Sequence, residues 1–296
     1  METNNPCRFL QPITIVFIFA LSYQCFGATD QTTSSRSTVP QEIIEVSDYG
    51  EATRIAKEKS AMLLVSIRVK NVIASSDLVT KQLADPSVRK VFVNSKTQWI
   101  FCELDFNETS ITLLYSTSLQ QLRKGPGIFV VDYAHKTMHG RVVSILPRQN
   151  GRYYTFQPSD LLLLPGLPTG SLTQRSMILA VRRHIDRPKS TNGSFNTALN
   201  EAATSHSAHQ AQLQKQGHHD WQRRSQQLRL HGGIVKEVCA ESWPGQDLLD
   251  SCVDCVSCWR QSTGHWRAVC GEQSAFGYDI RQGTDSIWYA TGIFIH

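Results

Sequence analysis

The chain has 296 residues, of which 41% are hydrophobic and 19% charged, with a formal net charge of +5 and an isoelectric point near 8.8. That apolar content suits real cores, and the length suits one large or two ordinary domains. The Lys and Arg residues are scattered without a dense basic run, so the charge gives no nucleic-acid footprint and permits only weak attraction to acidic cell-envelope polymers.

The first residues carry Arg8 and then an apolar run, Phe9 to Leu21, interrupted by Gln11 and Pro12. Its core, Ile13 to Leu21, falls short of the roughly 20 residues that span a bilayer. A basic start, a short apolar stretch and small residues at Gly27 and Ala28 are the parts of a cleavable export signal. The expectation is a signal over 1–27 and a secreted or periplasmic protein with no transmembrane segment after cleavage. Lipidation at Cys25 is disfavoured by Tyr23 and Gln24, which stand where small residues are wanted. Residues 28–40 are Ser/Thr-rich without an apolar period and read as a flexible leader.

Residues 41–186 alternate element types, which argues for an α/β layer fold. Tyr49 to Ser60 and Asp77 to Val93 have helical spacing. Ala61 to Ile67, Gln98 to Asp105, Gly127 to Tyr133 and Arg141 to Leu146 read as strands, the last two as a hairpin. Leu172 to Ile185 closes with a helix whose end, Arg182, Arg183 and His184, suits a helix C-terminus. The run Arg187-Pro-Lys-Ser-Thr-Asn-Gly-Ser194 reads as a linker, placed at 187–195.

Residues 196–296 differ in texture. Thr197 to Gln216 is an Ala- and Gln-rich helix stopped by Gly217, followed by His218, His219 and Trp221. After a polar stretch come Val238 to Trp243, a helix from Asp247 to Gln261, the run Ser262 to Trp266, and two strands, Ala275 to Ile280 and Ser286 to Ile295. Six cysteines follow the expected cleavage point: Cys102, Cys239, Cys252, Cys255, Cys258 and Cys270. Disulfides are allowed outside the cytoplasm, but no connectivity follows from the count. Cys252-x-x-Cys255-x-x-Cys258 invites a metal reading, yet Cys258 is displaced around the helix. Buried thiols, with a disulfide to Cys239 or Cys270 left open, are the simpler reading. Asn107-Glu-Thr109 and Asn192-Gly-Ser194 are glycosylation sequons. Trp243, Trp259, Trp266 and Trp288 crowd one small domain, which favours a core role over a ligand-stacking one.

The element order of 41–186, the acidic strand end Cys102-Glu-Leu-Asp105, and Pro126 directly before the strand Ile128 to Asp132 resemble the thioredoxin-like fold. The resemblance implies a cis-proline at Pro126 beside an active site. The redox motif that should follow the strand ending near Ile67 is absent, because Arg68 to Ser75 contains no cysteine. Thiol–disulfide exchange needs an attacking and a resolving thiol, so an extracytoplasmic thiol redox protein is the least favoured reading.

The last 100 or so residues resemble the CAP superfamily of cysteine-rich secretory, antigen-5 and pathogenesis-related proteins. The matches, in order, are an Ala-rich helix followed by His218 or His219, a motif with a central Glu at Ala240-Glu241-Ser242, a helix ending in Trp259, then Gly264-His265-Trp266, Gly277-Tyr278 and Trp288-Tyr289. The resemblance implies an α–β–α sandwich with a shallow cleft that in some members holds a divalent cation such as zinc. The ligand-binding candidates are His218, His219, Glu241, His265 and Tyr278. The metal candidates are His218, His265 and Glu241, with Glu241 and His265 the catalytic candidates. The second Glu of some members would stand just after Trp259, where this chain has Arg260, Gln261 and Ser262. Two imidazoles and a carboxylate could ligate zinc or activate its water; the bland reading is that these histidines cap a helix or face solvent. The expected function is a secreted two-domain binding or scaffold protein whose partner is a cell-envelope component, peptide or lipid. The alternative is a metal-assisted hydrolase acting through His218, Glu241 and His265.

Overall fold

The apolar run expected as a strand over 61–67 forms β2 (Met62–Arg68), which lies buried in the middle of a five-stranded sheet. The structure is a computed structural model that describes residues 42–68, 81–105, 111–229 and 232–296. The expected export signal, the leader, the cysteine-free segment after Arg68 and the sequon at Asn107 lie outside them. The other strands of this sheet are β1 (Ile44–Val46), β3 (Trp99–Asp105), β4 (Gly127–Asp132) and β5 (Arg141–Pro147). The order is β1-β3-β2-β4-β5, with β1, β3 and β2 parallel and β4 and β5 antiparallel.

Helices cover both faces, because runs such as MLLVSIR in β2 are apolar on both sides. Helix α1 (Tyr49–Glu58) is capped by Asp48 and buries Ala52 and Ala56. Its Tyr49 ring meets Phe129 at 6.3 Å. The helix expected over 77–93 is broken at Asp85, whose side chain caps a new helix, α2 (Pro86–Val93). Proline at the first helical position explains the restart. Phe92 of α2 sits edge-on against Trp99 and Phe101, at 4.9 and 5.1 Å. Short helices α3 (Ile111–Leu114) and α4 (Ser159–Leu163) and a 3₁₀ segment, Thr117–Lys124, complete this half. Among the described residues no peptide bond is cis. Pro126 is therefore trans, and the expected cis-proline is corrected: the proline only leads the chain into β4.

Helix α5 (Leu172–Arg182) opens with a capping box, Ser171 with Gln174. It buries Arg175 through Val181 without a polar face, because it packs on β5 of the first sheet and on the strand Ala275–Gln282 of the second. Each of its buried Ile, Leu, Met and Val side chains contributes roughly 1.5–3 kcal/mol. One hydrophobic core accordingly contains residues of both halves, from Leu63 to Phe294.

The second sheet has the order β6-β8-β9-β7, from β6 (Ser194–Phe195), β7 (Val235–Glu241), β8 (Ala275–Gln282) and β9 (Trp288–Ile295). On one face lies α6 (Thr197–Leu213); on the other lie α8 (Leu248–Gln261) and α5. Helices α7 (Trp221–Arg229) and α9 (Thr263–Cys270) flank the edge strand β7. Helix α7 leaves little signal in the sequence, because WQRRSQQLR has almost no apolar stripe. The fold is thus α/β with two mixed sheets.

The segment 187–195 is packed. Ser190 is fully buried, its hydroxyl 2.8 Å from that of Tyr278. Its backbone N–H donates to Val269, and β6 pairs with β8. Across the seam, the Asp250 carboxylate of α8 accepts the backbone N–H groups of Tyr153 and Tyr154 at 2.6 and 2.7 Å.

Gly277 brings α6 onto the sheet. A Cβ there would stand 2.3 Å from the Asn200 nitrogen and 2.5 Å from the Leu199 carbonyl carbon, whereas one at Gly264 would meet no atom within 4 Å. Gly277→Ala is expected to lower stability by roughly 1–3 kcal/mol, read as a fall in the urea midpoint. Gly264→Ala is expected to leave the midpoint unchanged or slightly raised.

Candidate metal and ligand site

Strand β7 is an edge strand, and Val235, Glu237, Cys239 and Glu241 share one of its faces. Glu237 lies in the middle of the strand, with its side chain only 1% exposed. A buried carboxylate needs partners, and three side chains supply them. Arg224 of α7 donates from Nε and Nη2 to Oε2 at 2.8 and 2.6 Å. His218 places Nδ1 2.9 Å from Oε1. His206 of α6 brings Nε2 to 3.7 Å from the same oxygen.

The turn between α6 and α7 is built to deliver His218. Gln214 ends α6 in the left-handed region, at φ 50°. The Gly217 N–H donates to Gln210 Oε1 at 3.0 Å, and Arg224 Nη1 donates to the His219 carbonyl at 3.0 Å. The same arginine therefore holds both the carboxylate and the turn. His218 Nε2 then faces His265 Nε2 at 3.3 Å, His265 coming from the first turn of α9. The His218 side chain is 42% exposed, so the pair opens to solvent. Burial, and then the neighbouring His218, push the His265 pKa below its ordinary value. Cys239 Sγ lies 3.7 Å from His218 Nδ1; burial, and then Glu237, push its pKa well up.

Of the sequence candidates, His218 and His265 come together and the others do not. Glu241 is exposed at the end of β7, about 13 Å along the strand from Glu237 at about 3.3 Å per residue, and its side chain makes no hydrogen bond or ion pair to a described residue. Glu237 stands where Glu241 was expected. The available signal was a carboxylate inside an apolar strand, between Val235 and Val238. Tyr278 is fully buried against Trp259 and Phe294, on the sheet face turned away from α6, and cannot be a ligand contact. His219 turns from the pair: its ring lies 6.2 Å from His206 and 5.8 Å from His209. Trp259 is core, as expected, but Trp243 is exposed under the Arg152 guanidinium. A cleft of about 480 Å³ runs between the 3₁₀ segment, β5 and β8 and contains none of the candidate site residues.

A second donor set, His206, Glu237 and Cys239, has ligand atoms within 4.8 Å of one another. It is poorly suited to a cation. His206 Nε2 faces the Gly217 carbonyl at 2.9 Å, which requires a proton on that nitrogen, and Arg224 already occupies Glu237. The six described cysteines are all unpaired thiols, so no disulfide joins Cys239 or Cys270 to the helix thiols. No described helix is long and apolar enough to cross a membrane. The chain matches no protein-family model and no curated protein at significant similarity.

His206 makes the site pH-sensitive. Burial, opposed in part by Glu237, pushes its pKa from 6.5 down to about 4. The unfolded imidazole takes up a proton near 6.5, while the folded one resists until about 4. Its contribution is therefore complete above pH 6.5 and is lost as pH falls from 6.5 to about 4, by on the order of 3 kcal/mol. Denaturant midpoints measured across that range in metal-free buffer should fall for the wild type. They should fall less steeply for His206→Gln.

Proposed function

We propose that this chain is an exported binding protein, with a redox-inert thioredoxin-like half and a CAP-like half whose cleft at His218 and His265 takes a divalent cation and an anionic ligand outside the cytoplasm. Export is supported by the basic and apolar pattern of residues 1–27. The thioredoxin-like reading is supported by the strand order β1-β3-β2-β4-β5 with helices on both faces. The CAP-like reading is supported by the helix–sheet–helix layering and by His218, Glu237 and His265 arriving from successive elements at one edge strand.

The observation that carries the cation is the 3.3 Å separation of the two Nε2 atoms. Two nitrogens on one tetrahedral zinc, at about 2.0–2.1 Å each, lie about 3.3 Å apart. Glu237 adds the carboxylate that orients the ring of His218 from behind, as second-sphere carboxylates do for ligating histidines. When bound, the ion would supply Lewis acidity and an attachment point for oxygen ligands. His218 and His265 hold it, Glu237 fixes the tautomer of His218, and Arg224 keeps Glu237 in place.

Binding is favoured over hydrolysis. A hydrolytic zinc site uses three protein ligands and a general base. Glu237 is buried and occupied, and Glu241 is remote, so the His218–Glu241–His265 arrangement lacks its base. Thiol chemistry is disfavoured as well, since burial pushes the Cys102 thiol up to about 12 and the Cys258 thiol up to about 11.

Zinc titration of the purified mature protein tests this reading. Wild type is expected to lose one equivalent on His265→Ala, while Glu241→Ala keeps the wild-type stoichiometry. Loss on Glu241→Ala with retention on His265→Ala would overturn the assignment.

A further inference from the structure

We propose that His206, His209 and His219 form a second metal site, for a borderline divalent transition-metal ion such as Zn²⁺, Cu²⁺ or Ni²⁺, built from imidazoles that the His218–His265 pair does not use.

Three rings converge. His206 and His209 are one turn apart on α6, with centroids 6.3 Å apart, and His219 of the following turn stands 6.2 Å from the first and 5.8 Å from the second. Two imidazoles on one metal, at about 2.1 Å per bond, hold their centroids roughly 5–6 Å apart. The triangle is slightly wider than this, and movement about the Cα–Cβ bonds of the half-buried His209 and His219 closes the difference.

The tautomers agree. A carbonyl oxygen accepts from His206 Nε2, at Gly217 and 2.9 Å, and from His219 Nε2, at Lys215 and 3.2 Å. Both rings therefore carry their proton on Nε2 and present a lone pair on Nδ1. Ligating histidines use this arrangement, with the far N–H donated to a carbonyl. His206 Nδ1 is buried and has no hydrogen-bond partner among the described residues, on a side chain only 1% exposed. Such an orphaned acceptor is costly unless something occupies it. His209 makes no hydrogen bond to a described residue.

Access and charge permit an ion. His206 and His209 line a cleft of about 290 Å³ with Asp220, Arg223, Arg224 and Gln227. The two guanidinium groups there are already matched, Arg224 by Glu237 and Arg223 by Asp220 at 3.6 Å. Imidazole donors select zinc, copper and nickel over calcium or magnesium.

Zn²⁺ titration of the full mature chain by calorimetry, with ¹⁵N NMR of the histidine rings, tests the site. His209→Ala is the variant of choice, because His209 is partly exposed, makes no hydrogen bond to a described residue and alanine is the stronger helix former. Wild type should take two equivalents, His209→Ala and His265→Ala one each, and the double variant none. In His265→Ala the remaining ion should shift Nδ1 of His206 and His219, whereas in His209→Ala it should shift Nε2 of His218 and His265. Unchanged stoichiometry and affinity in His209→Ala, or no metal-induced shift at Nδ1 of His206, would overturn the second site whatever happens at the first.

Discussion

Helix α5 must satisfy two sheets at once, and the remaining layers are arranged around that demand. A helix buried on both sides has no solvent face on which to place a charge, yet α5 carries Arg175 in its interior. The guanidinium is held by neutral oxygens: Ser144 Oγ at 2.9 Å, and the carbonyls of Leu164, Leu167 and Pro168 at 3.4, 3.1 and 2.8 Å. Burial pulls its pKa down to about 10. The planar fork ties β5 to the loop that leads into α5, a geometry that a lysine cannot reproduce. The first sheet, the entry loop and the second sheet are thus fixed to one helix.

A second buried charge organises the opposite side of the molecule. Between α6 and the second sheet, a polar row runs beside a small apolar cluster of Leu199, Ala203, Val235 and Ile293. Ser207 donates to the Asp279 carbonyl at 3.0 Å, and Gln210 Nε2 donates to Thr291 Oγ1 at 2.9 Å. Glu237 continues that row to the sheet edge, where it meets Arg224, His218 and His206. Polar networks of this kind hold their members in one arrangement when satisfied. Three buried atoms around this row, Asn200 Oδ1, His206 Nδ1 and Asp279 Oδ1, have no hydrogen-bond partner among the described residues, and His206 Nδ1 is the one where the row reaches the cleft between α6 and α7.

Much of the fold was legible because its signals are local. Apolar runs such as MLLVSI mark the strands, and helical spacing marks Tyr49 to Ser60 and Thr197 to Gln216. What was missed depends on long-range contacts. The Pro/Gly/Ser/Asn composition of 187–195 reads as a linker, but Ser190 is recruited by Tyr278, a residue 88 positions away in sequence. Helix α7 has little apolar content, and its place is fixed through Arg224. In the site, His218 and His265 were found from motif order. The motif points to Glu241 alone, because motif order carries no signal for which carboxylate of a strand lies in its buried middle. His206 was passed over as one more polar residue on an Ala-rich helix, since nothing local reveals which ring is enclosed.

The packed seam has a thermodynamic corollary. Because α5, the 187–195 segment and Asp250 bind the halves into one body, opening either sheet disturbs the other. A ligand that binds only the folded form adds its linkage free energy to every opening that passes through the binding-competent state. Occupancy at the edge of the second sheet would therefore slow amide hydrogen exchange in β2 and β4 of the first, although neither strand touches the site. In this chain the first sheet would act as ballast: it would set the reservoir of stability on which a ligand at the edge of the second sheet draws.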